Sequence, residues 1–225
     1  MSITNQDASG TEEGKTKFGL PIDDSFSRAA SQEQIERAAA SLRKHNISVE
    51  IVDTVADARR YVNSILPKDQ TILTAASETL RLSGLDDDIN NSGNYLSVRP
   101  QLAKLDLQTQ AAERRRLSAA PDVVVGSVHA LTEDGRLVVA SAGGSQLGPY
   151  SAGAGKAIFV VGSQKIVPDL ETAMKRIQVY SYPLEDIRAR EKYGRPTAVA
   201  KILIINADYS PGRSTVVLIR EPIGF

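Results

Sequence analysis

The sequence predicts an α/β domain, a three-layer α/β/α arrangement with a mostly parallel, mixed central sheet. Short apolar runs, of which residues 157–161 (AIFVV) are typical, alternate with segments of helical periodicity. This order favours parallel strands joined by crossover helices. The last two apolar runs, residues 202–205 and 216–219, flank Pro211-Gly212. Because Pro-Gly marks a turn, these runs predict a terminal pair of strands, which makes the sheet mixed.

Composition limits the class of protein. A chain of 225 residues with 41% hydrophobic and 24% charged residues predicts one soluble globular domain. The formal net charge is zero, so we expect neither nucleic acid nor an anionic membrane surface as a partner. The absence of cysteine excludes disulfides, thiolate nucleophiles and Cys-ligated zinc or iron–sulfur centres. No run approaches about 18 apolar residues, so we expect no membrane insertion and a cytoplasmic location.

The N-terminal segment differs from the rest of the chain. Residues 1–24 are polar and lack apolar periodicity, which predicts a flexible tail before a folded domain at residues 25–225. Ser31 and Gln34 then have the spacing of a capping box. The apolar residues behind them share one helical face: Ile35, Ala38, Ala39 and Leu42. The folded part therefore opens with an amphipathic helix.

A second helix is predicted after a strand at residues 47–52. Thr54 suits its N-cap and Pro67 its end. Its apolar face consists of Ala58, Tyr61, Val62 and Ile65. A short strand at residues 71–74 then leads to Ser77, which suits another helix start.

Residues 84–104 are predicted to be the least regular part of the chain. They contain Asp86-Asp87-Asp88, which fits loop chemistry and lacks the alternate spacing of a calcium loop, so we expect no metal site. A helix is predicted from about residue 106 to residue 119, before Pro121. The basic run at residues 114–116 lies on this helix and favours a solvated face over a phosphate-binding patch.

The most informative segment begins at Asp122. A buried strand is predicted to stop at Gly126, and a turn at Glu133-Asp134-Gly135 leads into a second apolar strand. The next loop contains Gly143-Gly144. Since ligands of open α/β sheets bind beyond the carboxyl ends of parallel strands, this segment is the first candidate for a site.

A small anion, a carboxylate or a phosphate, is the predicted ligand. Ser77, Glu78 and Thr79 follow a strand and begin a helix, where hydroxyl and backbone N–H groups can hold an anion. Ser77 as a simple N-cap remains an open alternative. The predicted ligand-binding residues are Ser77, Glu78, Thr79, Gly126, Ser127, Gly143 and Gly144.

Two residues of the same segment are candidates for acid–base chemistry. His129 has an ordinary pKa near neutrality, although a structural role is the more common one for a single histidine. Glu133 suits an acid–base or nucleophilic role, and a solvated turn residue is the equally good alternative. The segment at Gly153-Ala-Gly155-Lys156 matches neither a Walker loop nor a dinucleotide fingerprint, so we expect no nucleotide cofactor.

The chain resembles the LUD (lactate-utilization) domain family in the order of these motifs. The likeness includes the strand and turn from Asp122 to Gly135, the glycines at 143 and 144, and residues 159–171 (FVVGSQKIVPDLE). The strand before Ser77 and the closing residues 204–216 agree with it, so that it extends over about residues 30–225.

The resemblance implies a fold of the NagB/RpiA/CoA-transferase-like type. LutC-like members act with iron–sulfur partner proteins in oxidising lactate to pyruvate, which implies a non-redox subunit or accessory protein of lactate or organic-acid utilisation. CoA-transferases of the wider superfamily use a glutamate within Ser-Glu-Asn-Gly, and Thr132-Glu133-Asp134-Gly135 is similar, which implies a catalytic Glu133 in an acyl-CoA or sugar-phosphate enzyme. A non-enzymatic metabolite sensor or assembly factor is the third alternative. Substrate, catalysis and oligomeric state stay open.

Overall fold

A computed structural model describes residues 14–106 and 108–225. Its larger sheet has six strands, and every neighbouring pair in it is parallel. In spatial order these strands are β1 (Ser48–Val52), β10 (Ser214–Ile219), β7 (Lys156–Gly162), β4 (Val123–Gly126), β2 (Thr71–Thr74) and β3 (Leu96–Ser97). The predicted α/β class with a mostly parallel sheet is confirmed.

A second sheet of four strands supplies the antiparallel pairs. In spatial order its strands are β8 (Ile166–Val167), β5 (Ala130–Thr132), β6 (Leu137–Ser141) and β9 (Lys201–Ile205). Strand β6 is antiparallel to both β5 and β9, whereas β5 and β8 are parallel. Strands β5 and β6 form the hairpin expected around Glu133-Asp134-Gly135, where Gly135 has a φ of +86°.

Eight α-helices are found in the described part of the chain. They are α1 (Gln32–Lys44), α2 (Val55–Ile65), α3 (Glu78–Leu82), α4 (Leu85–Asn91), α5 (Arg99–Lys104), α6 (Ala111–Ala119), α7 (Leu170–Arg176) and α8 (Tyr182–Tyr193). The predicted capping box at Ser31 with Gln34 before α1 is confirmed, and Thr54, predicted as the N-cap of α2, is found to form a capping box with Asp57. Ile65 differs from the predicted apolar face of α2, because it is 39% exposed at the last position of the helix.

The larger sheet is buried on both faces because alternate side chains of its central strands point to opposite sides. On one side, Val216 and Leu218 of β10 pack in a cluster with α1 and strands β5 and β6. On the other side, Val217 and Ile219 pack with α2, α3 and α4. The three layers therefore follow directly from the continuous apolar runs of the sequence.

The predicted terminal pair of strands is wrong. Strand β9 pairs with β6 in the smaller sheet, whereas β10 lies between β1 and β7 in the larger one. The turn at Pro211-Gly212 is present, with a φ of +88° at Gly212. The turn directs the chain from one sheet to the other, because the apolar residues 216–219 of β10 gain more by burial on both faces of the larger sheet than at a hairpin edge.

Residues 84–104 are more regular than predicted. They form α4, β3 and α5, and Asp86, Asp87 and Asp88 lie in the first turn of α4, where negative charge favours the helix. The helix predicted from residue 106 begins only at Ala111, because Asp106 accepts hydrogen bonds from the backbone of Gln108 and Thr109 and holds a turn there.

The predicted N-terminal tail covers two kinds of residues. Residues 1–13 lie outside the described part of the chain. Thr16 is buried, Lys15 forms a β-bridge with Pro21, and Lys17 pairs with Glu191 of α8. Residues 14–23 are thus in contact with the domain.

Candidate functional site

Three neighbouring strands of the larger sheet end at one place. Strands β2, β4 and β7 are parallel, so their carboxyl ends lie on the same edge. Beyond these ends come Ser77, Ser127 and Lys165, the last on a 3-10 turn at Ser163–Lys165. A cavity of about 830 Å³ opens at this edge, and all three residues border it.

The opposite walls of the cavity come from the smaller sheet and from α8. The end of β6 supplies Ser141 and Gly143, and α8 supplies Glu185 and Arg188. Residues 195–199 and Phe225 also line the cavity. Arg188 donates two hydrogen bonds of 2.6 Å to the carboxylate of Glu185, which leaves this ion pair at the wall of the cavity.

Lys165 is the most unusual group of the site, since it is only 2% exposed. Its Nζ donates to Thr79 Oγ1 at 2.9 Å, to Ser127 Oγ at 3.0 Å and to the Val128 carbonyl at 3.1 Å. All three partners are neutral. Burial, reinforced by the charge of Arg176, holds the pKa of Lys165 well below its ordinary value of 10.5.

Arg176 is a second buried basic side chain near the site. Arg176 of α7 is fully buried and donates to the carbonyls of Gln164 and His129 and to Ser181 Oγ. Its Nη2 has no hydrogen-bond partner among the residues that the structure describes. Burial lowers the pKa of Arg176 to about 10, so that it stays charged at neutral pH. The positive charge of Arg176 therefore acts on Lys165 and disfavours a second positive charge there.

His129 borders the cavity, and its surroundings define its hydrogen-bonding role. The backbone N–H of Ala140 donates to Nδ1 at 3.1 Å, so the ring proton of the neutral form lies on Nε2. Burial and the nearby cations Lys165 and Arg176 lower the pKa of His129 to about 3. At neutral pH the ring is therefore a hydrogen-bond donor rather than the general acid or base suggested by its ordinary pKa.

The C-terminal residues are joined by hydrogen bonds to the residues around Lys165. Gln164 donates from Nε2 to the carbonyls of Ile223 and Gly224, and accepts from the backbone N–H of Ile223. Thr79 Oγ1 also donates to the Ile223 carbonyl, at 3.3 Å. Gly224 has a φ of +67°, and a Cβ there would lie 2.4 Å from Thr79 Oγ1, so this close approach requires glycine.

The end of β4 is shaped by Tyr150. The Tyr150 hydroxyl donates to the Ser127 carbonyl at 3.4 Å. A Cβ on Gly126 would lie 1.6 Å from that hydroxyl oxygen, so the tyrosine packs over the backbone only because residue 126 is glycine. This contact fixes the direction in which the chain leaves the strand at Ser127.

The structure brings together some of the residues predicted to bind a ligand. Ser77, Glu78, Ser127 and Gly143 border the cavity. The carboxylate of Glu78 is held by Arg81, whose Nε donates to it at 2.8 Å. Thr79 and Gly126 are buried and do not border the cavity. Gly144, with a φ of +84°, packs beside Lys201.

Glu133 lies apart from these residues, on the turn between β5 and β6. Its carboxylate accepts hydrogen bonds from Arg37 Nε at 2.7 Å and from Gln34 Nε2 at 3.0 Å, both on α1. The pairing with Arg37 lowers the pKa of Glu133. Its catalytic role stays a prediction, and its observed contacts join the hairpin to α1.

Lys165 is not among the site residues predicted from the sequence. The available signal was a single lysine between the apolar strand that ends at Gly162 and the apolar pair Ile166-Val167. Lysine is almost never fully buried unless it has specific partners, so its position between two buried strands indicates a function.

A smaller cavity of about 300 Å³ adjoins the first and shares Ala75, Ser145 and Gln146 with it. Arg99, Arg114 and Arg115 border this smaller cavity. Arg114 donates to the carbonyls of Leu102 and Leu105, whereas Arg115 and Arg116 are exposed. The basic run predicted as a solvated face is therefore solvated in part only.

Two kinds of feature are absent from the described residues. No group of three or more His, Cys, Asp or Glu side chains in residues 14–106 and 108–225 could hold a metal ion. Within the same residues, no helix combines the length and apolar character needed to cross a membrane.

Comparison with known proteins identifies the family. The LUD domain model matches residues 35–219. A crystal structure of a DUF162 family protein from Deinococcus radiodurans is similar in fold, with a TM-score of 0.52 and 12% sequence identity, over 85% of this chain and 99% of that one. No curated protein matches the sequence. Since the family model covers most of the chain and the solved structure agrees in fold, this protein belongs to the LUD domain family.

Proposed function

We propose that the larger cavity binds the anion of a small organic acid, and that the protein is a non-redox subunit or accessory protein of lactate or other organic-acid utilisation. One observation carries this proposal: Lys165 lies buried at the cavity with three neutral oxygen partners. A buried ammonium without a counter-charge is unstable. A carboxylate in the cavity supplies that counter-charge.

Electron transfer in such a system is assigned to a partner protein. The chain has no cysteine for an iron–sulfur cluster and no dinucleotide motif. An iron–sulfur partner protein, as in LutC-like systems, is the proposed acceptor of electrons. Oxidation of lactate by the isolated protein, without partner or added cofactor, would contradict this assignment.

Anion binding and proton binding are coupled at Lys165. Because its pKa is depressed in the free protein, a carboxylate that pairs with it raises that pKa and draws a proton onto the amine. The affinity for the acid should therefore fall as the pH rises. Each pH unit above the pKa of the free amine weakens binding about tenfold, up to the pKa of the complex.

Isothermal titration calorimetry tests this coupling directly. We expect L-lactate, pyruvate or a related small acid to bind with net proton uptake, measured as a dependence of the observed heat on the ionisation enthalpy of the buffer. Lys165→Met should abolish both binding and proton uptake. Lys156→Met is the matched control, since Lys156 is exposed at the other end of β7.

Three results would contradict the proposal, of which the first two concern a ligand that binds. One is equal affinity of Lys165→Met and the wild-type protein for the acid. The second is binding to the wild-type protein without proton uptake, a measurement that does not depend on the stability of the variant. A panel of small carboxylates in which none binds would also reject it.

A further inference from the structure

We propose that Ser127 is a nucleophile, activated by Lys165, which accepts the acyl group of an ester or thioester of a small organic acid. This inference deepens the proposed function and rests on it, since the acid that the cavity binds is then the product of the reaction. It is carried by the contact of Lys165 Nζ with Ser127 Oγ at 3.0 Å and by the position of Ser127 at the cavity.

The hydrogen-bond partners of Lys165 define the role of each group. A neutral amine donates two hydrogen bonds and accepts one. The Val128 carbonyl can only accept, and the Thr79 hydroxyl already donates to the Ile223 carbonyl. When Lys165 loses its proton, its hydrogen bond with Ser127 therefore reverses, so that the Ser127 hydroxyl donates to Nζ. A second possible acceptor for the Ser127 hydroxyl, the Val128 carbonyl, lies at the longer distance of 3.4 Å from Oγ.

The positions of the two residues suit a nucleophile and its base. Ser127 is half-buried at the edge of the cavity, whereas Lys165 lies behind it and is 2% exposed. A substrate in the cavity therefore reaches the hydroxyl while the amine stays shielded from water. A serine with a lysine base is an established variant of nucleophilic catalysis on unrelated folds.

The size of the cavity indicates a substrate larger than the acid alone. A volume of about 830 Å³ lies in the range of sites that enclose drug-sized ligands, and a three-carbon acid fills a small part of it. An ester or thioester adds an alcohol or thiol portion, which occupies the remaining space. The acyl carbonyl would then lie near Ser127 and the leaving group toward α8.

The reaction balances without an oxidant or a metal ion. Ser127 Oγ forms a bond to the acyl carbon while its proton passes to Lys165 Nζ. The bond from the acyl carbon to the leaving oxygen or sulfur breaks, and Lys165 returns the proton to that atom. Water then attacks the acyl-serine, gives a proton to Lys165, and releases the carboxylic acid beside the lysine as Ser127 regains its proton.

His129 is the proposed hydrogen-bond donor to the acyl oxygen. Its ring borders the cavity two residues after Ser127, and its Nδ1 is occupied by the Ala140 N–H. The Nε2–H remains for a ligand. Because the ring is neutral at physiological pH, it donates to a developing oxyanion without becoming a competing acid.

Covalent labelling with a fluorophosphonate tests the proposal on the full-length protein. We expect one adduct per chain, assigned to Ser127 by peptide mapping, and hydrolysis of p-nitrophenyl acetate with an initial burst. Lys165→Met should slow labelling about 100-fold or more, since a general base contributes at least that factor. Ser145→Ala is the matched control, because Ser145 borders the same cavity and no lysine among the described residues forms a hydrogen bond with its hydroxyl.

The pH dependence of labelling gives a second measurement on the wild-type protein. The charged and titratable groups that act on Lys165 are Arg176 and His129, and its hydrogen-bond partners are neutral. The rate should rise with pH as Lys165 loses its proton, with a midpoint below 10.5. This profile does not require that the Lys165 variant fold.

The outcomes separate this inference from the proposed function. A wild-type protein that binds the acid with proton uptake but is never labelled at Ser127 overturns the nucleophile and leaves the binding site. Labelling at another serine also overturns it. Failure of both acid binding and labelling rejects both proposals.

Discussion

At the scale of single residues, the surroundings of a titratable side chain decide whether it is a candidate for function, as Glu133 and Lys165 show. Both are titratable and both lie on short connections that follow a strand. Glu133 is balanced by Arg37 on the surface of α1, whereas Lys165 meets only neutral oxygens in the interior. An ion pair at the surface contributes little to stability or to chemistry. A buried charge without a counter-charge instead favours the binding of a ligand of opposite charge.

Glu133→Gln separates a structural role from a catalytic one. The amide can still accept a hydrogen bond from Arg37, so we expect the free energy of unfolding to fall by less than about 1 kcal/mol, measured by urea denaturation. Acid binding at the cavity should be unchanged in calorimetry. Loss of turnover in a variant that keeps its fold and its affinity would instead establish the catalytic role of Glu133.

At the scale of elements, local chemistry predicts where helices begin better than it predicts which strands meet. The capping boxes at Ser31 and Thr54 involve residues three positions apart, and both are present. Strand pairing is decided by burial over the whole chain, so the turn at Pro211-Gly212 could not reveal that β9 and β10 belong to different sheets. The same limit concealed Lys165, whose partners lie 37 to 86 residues away in sequence.

The start of α1 provides a test of local stabilisation. Ser31 Oγ accepts from the Gln34 backbone N–H, and the Gln34 side chain accepts from the Ser31 backbone N–H. Ser31→Ala should lower the free energy of unfolding by about 1 kcal/mol, and Ser31→Gly by only a few tenths. Chemical denaturation measures both, and a larger loss for glycine than for alanine would contradict the capping role.

At the scale of the whole molecule, the junction of the two sheets creates the site. The larger sheet provides the strand ends that position Ser127 and the turn bearing Lys165, while the smaller sheet provides β6 on the opposite side. The segments that join the two sheets pass through this junction, and Arg176 fixes them by its bonds to the carbonyls of His129 and Gln164. The fold therefore retains two buried basic side chains, Lys165 and Arg176, where burial disfavours the charged form of each.

This arrangement makes the stability of the whole domain depend on His129 at acidic pH. Its pKa is about 3 in the folded protein and near its ordinary value of 6.5 in the unfolded chain. Between these values the unfolded chain binds the additional proton, so the free energy of unfolding falls as the pH decreases, by no more than about 1.4 kcal/mol per pH unit. Urea denaturation between pH 6.5 and about 5.5, above the range in which most carboxylates titrate, should show this slope in the wild type and lose it in His129→Asn. His45→Asn is the matched control and should retain the slope, because among the described residues the side-chain hydrogen bond found for the His45 ring is with the Gly135 carbonyl, away from Lys165 and Arg176. An identical slope in the wild type and in His129→Asn would show that His129 takes up its proton in the folded protein as readily as in the unfolded chain. Burial and the charges of Lys165 and Arg176 would then not lower the pKa of His129.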